Sequence, residues 1–260
     1  MRTTQKREEV IARIRTAARK LYLSGALGDL CESSGTLQQM QFMLEALEQE
    51  LGIREENARK RLIRRACFPA VKSFTGYDYS HVTIPPAMPR ADLEAVTFIS
   101  NRQNLVLYGP VGTEKTHMAV AAGMAACCKG YKTKFYTVTD LILALSAAKR
   151  DGTLHRLQKE LDSLDLLILD EWGYVPVDRE GAQLLFRVIA DSYEQKSLIL
   201  TTNIEFSKWG SVFTDDQMTA AMIDRLVHHG HLFLFEGTSY RMEHALMGSN
   251  PKEASQQDMA

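Results

Sequence analysis

Gly109, Lys115 and Thr116 keep the spacing G-x-x-x-x-G-K-[ST], less its second glycine, within "LVLYGPVGTEKTHMA" (105–119). An apolar run, a glycine loop and a helix are how a phosphate-cradling loop is built. Backbone N–H groups must approach phosphate oxygens closely, and the first helical turn adds its positive end. At this spacing Lys115 reaches the β- and γ-phosphates and the Thr116 hydroxyl is a ligand for Mg²⁺. The candidate nucleotide contacts are therefore Gly109, Pro110, Val111, Gly112, Thr113, Glu114, Lys115, Thr116 and His117. The plain alternative for the loop alone is a glycine turn joining a strand to a helix.

Glu114 stands where the pattern asks for glycine. If the backbone there is left-handed, a side chain costs about 1–2 kcal/mol. An ionised carboxylate beside a phosphate adds repulsion on the order of a few kcal/mol at an effective dielectric of ~20. A carboxylate splayed to solvent would cost little, and Mg²⁺ and Lys115 would offset part of the rest. The expectation is weakened nucleotide binding.

Three further segments end in residues that suit phosphate chemistry. "LLILDE" (166–171) is an apolar strand closing on two acids. Asp170 suits a Mg²⁺ held through water, and Glu171 suits a base that orients the attacking water. "SLILTTN" (197–203) brings Asn203 to a strand end, where an amide senses the γ-phosphate or holds the water. "AMIDRLVHHG" (221–230) supplies Arg225 near a helix end. Acting across a subunit boundary, such an arginine is worth about 10³–10⁵ in rate; the alternative is a surface salt bridge with Asp224 or a neighbour. Each residue alone is weak evidence; together, each at a strand end or on the following helix, they are strong.

His228, His229 and His231 in "HHGH" are set aside as a metal site, because no carboxylate or cysteine lies at ligand spacing. Trp172 and Tyr174, just beyond the strand acids, are read as packing under the loop. The four cysteines, Cys31, Cys67, Cys127 and Cys128, form no C-x-x-C pair, which argues for reduced thiols over a zinc or disulfide framework.

The elements that must position these residues follow from hydrophobic periodicity. Residues 1–68 read as a small helical N-terminal domain, with Val10, Ile11, Ile14, Ala17, Ala18 and Leu21, then Leu37, Met40, Leu44, Leu47 and Leu51, at helical spacing. Thr36 is a candidate cap. Residues 69–90, with Pro69, Pro85, Pro86 and Pro89, read as a linker wrapping onto the next domain. From 91 to 247 helical stretches alternate with apolar strands at Leu105–Tyr108, Lys134–Thr137, Leu166–Leu169, Leu198–Thr202 and Leu232–Phe235. That alternation predicts an α/β fold, a five-stranded parallel sheet between helices. Residues 248–260 read as a disordered tail.

Hydrophobic content of 45% and charged content of 24% fit a soluble globular chain, and a net charge of −1 excludes a strong overall field. The charge is uneven: residues 1–80 hold 14 Lys+Arg against 10 Asp+Glu, a net of +4, leaving −5 for the remainder. No apolar run approaches the ~20 residues that span a bilayer, and "MRTTQKREEV" lacks an apolar signal core. No membrane partner and a cytoplasmic location are expected.

"GPVGTEKTHMA", "LLILDEWGYVP", "TTNIEFSKWG", "AAMIDRLVHHG" and "GTSYRMEHAL" resemble the IstB/DnaC-like branch of the AAA+ P-loop ATPases, nearest to the ATP-binding helper proteins of insertion-sequence transposition. The resemblance runs from about residue 20 to 247. It implies an ATPase that takes ATP and Mg²⁺, forms homo-oligomers through ATP-bridged interfaces, assembles on duplex DNA, remodels it and recruits a cognate transposase. It makes Arg225 the trans-acting arginine finger and Arg241 a second phosphate-sensing arginine. It also bears on the basic stretch "REENARKRLIRR", with Arg54, Arg59, Lys60, Arg61, Arg64 and Arg65. On charge alone that stretch is better read as a solvated helix face; the resemblance reverses the preference towards DNA phosphates. Lys149 and Arg150, in an amphipathic region, either line a DNA path or belong to an ordinary surface helix pair. Two rival functions share these motifs: a DnaC-like helicase loader, and a DNA-binding scaffold whose ATP site has decayed through Glu114.

Overall fold

A computed structural model describes residues 2–174, 178–213 and 215–237. The chain divides into two compact units, 1–61 and 62–260. The first is helical: α1 (Arg2–Lys20), α2 (Ala26–Ser34) and the start of α3 (Leu37–Ala66), which continues into the second unit. Its core is the periodic apolar set of the sequence: Val10, Ile11, Ile14, Ala17 and Leu21 of the α1 segment pack with Met40, Leu44 and Leu47 of α3. Thr36 opens α3 with a reciprocal cap. Its Oγ1 accepts the Gln39 N–H at 3.3 Å while its own N–H donates to Gln39 Oε1 at 2.9 Å.

The second unit contains, in order, β1 (Val82–Thr83), α4 (Arg90–Glu94), α5 (Thr97–Ser100), β2 (Asn104–Tyr108), α6 (Lys115–Cys128), β3 (Thr133–Thr137), α7 (Val138–Arg150), α8 (Leu154–Asp162), β4 (Leu166–Trp172), α9 (Arg179–Ser192), β5 (Ser197–Thr202), a 3₁₀ turn (Phe206–Lys208), α10 (Gly210–Phe213), α11 (Asp216–His228) and β6 (Gly230–Phe235). All five strands expected from the apolar runs are present and mutually parallel, in the order β6-β2-β5-β4-β3. Strands covered on both faces read as continuous apolar runs; Leu166 to Leu169 are all fully buried. The sheet has a sixth strand that the apolar pattern does not show. β1 joins its edge antiparallel to β6, pairing Val82 with Phe235 and Thr83 with Leu234. Two residues are too few to display a period of two, so the mixed sheet replaces the purely parallel one. Residues 69–90 thus supply a strand, and Tyr77 and Met88 enter the core of the sheet.

Side-chain caps fix three helix starts. Thr137, Asp178 and Asp215 accept the N–H groups of Asp140, Gly181 and Met218 at the N-termini of α7, α9 and α11. Trp172 is fully buried against Trp209 and Phe213, with ring centroids 5.0 and 5.1 Å away. The four cysteines are free, and burial pushes the Cys127 thiol up to about 11. Among the described residues no helix is long and apolar enough to cross a membrane.

Candidate nucleotide-binding site

The loop runs from the end of β2 to the start of α6. Gly109 has no room for a side chain, since a Cβ there would run into the Phe235 carbonyl on β6. Glu114 is the N-cap residue of α6 with φ 62° and ψ 24°. The backbone is therefore left-handed where the chain has a glutamate, and the roughly 1–2 kcal/mol conformational cost applies. Its carboxylate is not splayed to solvent. Glu114 Oε1 lies 3.4 Å from His117 Nδ1, and His117 Nε2 lies 3.1 Å from the Ser73 carbonyl. The Tyr77 ring meets His117 edge-on at 5.0 Å. Burial first, and the Glu114 carboxylate second, hold the Tyr77 hydroxyl well above its ordinary range.

Lys115 is 7% exposed. Its Nζ donates to the Gly109 carbonyl at 2.7 Å and the Pro110 carbonyl at 2.5 Å, and sits 3.4 Å from Thr113 Oγ1, so the ammonium lies against the loop. Thr116 follows at the start of α6, its Oγ1 3.0 Å from both carboxylate oxygens of Asp170. A hydroxyl and a carboxylate side by side are hard oxygen donors, the set that suits Mg²⁺.

Asp170 and Glu171 lie near the end of β4, where the β4–β5 register shifts between Leu169 and Trp172. Glu171 takes φ 60° in that irregularity. Asp170 stays 5% exposed, and Glu171 turns out to solvent. Thr201 on β5 braces both: its hydroxyl donates to Asp170 Oδ1 and accepts the Glu171 N–H at 3.0 Å. Thr201 escaped the sequence argument, which took Asn203 from the same "LTTN" run. Its signal was a hydroxyl two residues before the strand's polar end, legible only once the β4–β5 pairing is known.

A pocket of about 370 Å³ lies over this group, lined by Glu114, Lys115, Thr116, Glu171, Thr201, Lys72 and Tyr174 among others. Tyr174 is 44% exposed and lines this pocket, whereas packing was expected of it. Asn203 and Arg225 are not among the lining residues. Asn203 is half-buried, and its Oδ1 has no hydrogen-bond partner among the described residues. Arg225 sits in the last turn of α11, its Nη1 donating to the Ala221 carbonyl at 2.8 Å and its guanidinium 5.4 Å over the Phe186 ring. α11 feeds the start of β6, which runs parallel to β2. Arg225 is therefore at the sheet end opposite the loop of its own chain. Arg241 lies outside the described residues.

The basic stretch lies on α3 and divides by pairing. Arg54, Arg59 and Lys60 form i,i+4 ion pairs with Glu50, Glu55 and Glu56 at 2.7, 3.7 and 2.6 Å. Arg61, Arg64 and Arg65 are exposed, with no ion pair among the described residues. Lys149 pairs with Glu180 at 2.8 Å, and Arg150 is exposed at the end of α7.

The conformation at 114 gives a direct prediction. Glu114→Gly relieves the left-handed backbone, which bears on stability, and removes a carboxylate from the pocket wall, so ATP affinity is expected to rise about tenfold or more, each 1.4 kcal/mol being a factor of ten. Titration of fluorescent ATP against both proteins measures it, and equal affinities would refute the assigned cost.

The sequence pattern of the IstB-like ATP-binding proteins matches residues 23–247. The chain is 36% identical over 206 residues to the insertion sequence IS21 ATP-binding protein of Pseudomonas aeruginosa, covering 78% of this chain and 77% of that one. It is 34% identical over 210 residues to the IS5376 ATP-binding protein of Geobacillus stearothermophilus, covering 81% and 84%. Among solved structures, the DnaC helicase loader superposes with a TM-score of 0.51 at 22% identity, over 63% of this chain and 96% of that one. AMPPCP-bound DnaA from Aquifex aeolicus gives 0.53 at 21% identity, over 68% of this chain and 54% of that one. At those identities the two structures speak for the AAA+ P-loop fold alone.

Proposed function

From the premise that this chain belongs to the IstB-like ATP-binding protein family, we propose that it is an ATP-dependent helper of insertion-sequence transposition. In this reading it binds ATP between neighbouring copies, assembles on duplex DNA and delivers that DNA to a transposase. The observation that carries the reading is the contact of the Thr116 hydroxyl with Asp170, braced by Thr201, beside a buried Lys115 at the mouth of a phosphate loop.

In this reading each residue has a part. Backbone N–H groups of 111–116 and the α6 N-terminus bind phosphate oxygens. Lys115 turns from the loop carbonyls to the β- and γ-phosphates. Thr116 and Asp170 would hold Mg²⁺, which when bound neutralises phosphate charge. Glu171, held outward by the β4 irregularity, accepts a proton from the attacking water. Asn203 orients that water or reads the γ-phosphate, Arg241 is a further phosphate contact, and Arg225 serves the pocket of the adjoining copy.

Contact with DNA is assigned to Arg61, Arg64 and Arg65, with Arg54, Arg59, Lys60, Lys149 and Arg150 contributing less because carboxylates already engage most of them. Phosphate contacts of this kind bind without reading sequence and weaken steeply with salt. Pull-down of the cognate transposase on immobilised duplex DNA, with and without ATP, tests the whole reading. Transposase recovery is expected to need both this protein and ATP. Charge reversal at Arg61, Arg64 and Arg65 is expected to lower retention severalfold and to flatten its salt dependence. Recovery of a replicative helicase in place of the transposase would favour a loader.

Glu114 in its left-handed position favours one other reading, a DNA-binding scaffold with a decayed ATP site. ATP turnover above background, removed by Glu171→Gln, decides against it.

A further inference from the structure

At the end of the sheet opposite the phosphate loop, two chain reversals bring together three side chains of metal-binding type. Glu194 lies in the turn between α9 and β5, and His228 and His229 close α11 just before β6. One ligand atom from each of the three lies within 4.8 Å of the other two. Glu194 Oε1 and His229 Nε2 are 3.0 Å apart. Two atoms that share a metal at about 2.0–2.2 Å sit roughly 3–3.5 Å from each other, so this pair already has ligand spacing. A ring nitrogen of His228 completes the cluster within the same 4.8 Å.

The surrounding structure holds both reversals. The Glu194 carbonyl accepts from Arg102 Nη1 at 2.8 Å, and the His229 carbonyl accepts the Asn104 N–H at 2.8 Å. The Asn104 side chain, 6% exposed, ties the two together, donating to the Leu226 carbonyl at 3.2 Å and accepting the Leu198 N–H at 3.0 Å. Gly230 permits the tight exit from α11, since a Cβ there would press on the Leu226 carbonyl. The two imidazoles meet edge-on, ring centroids 4.3 Å apart. The Tyr193 hydroxyl lies 2.9 Å from His228 Nδ1. A hydrogen bond to one ring nitrogen orients the other towards a metal, as outer partners do in metal sites.

We propose that Glu194, His228 and His229 bind a divalent transition-metal ion, Zn²⁺ foremost, with water completing the shell. Two imidazoles and a carboxylate suit Zn²⁺, Co²⁺ or Ni²⁺, whereas Mg²⁺ takes the all-oxygen site at Thr116 and Asp170. His229 and Glu194 are 40% and 57% exposed, so the ion enters directly from solvent. Bound there, it clamps the end of α11, three residues beyond Arg225, to the α9–β5 turn. His231, on β6, is not part of the cluster.

The test is titration of the tag-free, chelator-treated full chain with Co²⁺ in the absence of nucleotide, read by its visible absorption, followed by Zn²⁺. One Co²⁺ per chain and its displacement by Zn²⁺ are expected. The spectrum is expected to vanish in His228→Ala/His229→Ala and its midpoint to weaken at least about tenfold in Glu194→Gln. It is expected to persist in Cys67→Ser/Cys128→Ser, which removes the exposed thiols. Metal-free unfolding curves matching wild type show that each variant folds. If the double histidine variant does not fold, Glu194→Gln, at an exposed side chain, decides. No saturable Co²⁺ signal, or a signal unchanged by loss of the histidines or of the Glu194 charge, overturns the proposal.

Discussion

Arg225→Ala is expected to lower ATP turnover by about 10³–10⁵-fold, the range lost when an arginine finger is removed, with ATP affinity near that of wild type. α11 ends where β6 begins, and β6 is parallel to the strand that feeds the phosphate loop. The arginine thus lies at the opposite end of the sheet from its own nucleotide pocket, against the Phe186 ring and the Ala221 carbonyl. A guanidinium so placed could reach a transferring phosphate only in an adjoining copy, as the proposed function requires. Mixing gives the decisive measurement. Arg225→Ala chains keep a complete pocket, and Lys115→Ala chains keep the arginine. Neither is expected to turn ATP over alone, and a mixture on duplex DNA is expected to recover part of the activity. No recovery, with both proteins folded, would place the arginine outside the site.

Glu171→Gln is expected to lower turnover by about 10²–10⁴-fold, the usual contribution of a positioned general base, and to leave ATP binding intact. Glutamine preserves the shape and the φ of 60° but cannot accept a proton. The backbone stays where Thr201 holds it through the Glu171 N–H. ATP-dependent retention on DNA is expected to persist in this variant, because the proposed function assigns binding to Lys115 and Thr116 and hydrolysis to Glu171. A single-turnover assay with labelled ATP separates the two. Wild-type turnover in the glutamine variant would mean that another group takes the proton.

The sequence by itself determined whatever depends on neighbours along the chain. The central strands β2, β4 and β5 were legible because a strand buried on both faces must be largely apolar, as Leu166–Leu169 are. The N-terminal helices were legible from the 3.6-residue spacing of Val10 to Leu21 and Met40 to Leu47. The phosphate loop was legible because its glycines and lysine lie within seven residues of chain, and so was the anomaly at Glu114, though not the left-handed backbone that gives it a cost. Tertiary structure decided everything set by register and by reversals. β1 exists because β6 offers an open edge, which two residues cannot announce. Thr201 braces Asp170 and Glu171 because β4 and β5 slip past each other at that point. "HHGH" showed no carboxylate at ligand spacing, yet Glu194 arrives beside His229 from 35 residues away. Periodicity is a property of a segment, whereas these contacts belong to pairs of segments, and only the packed sheet settles which ends meet.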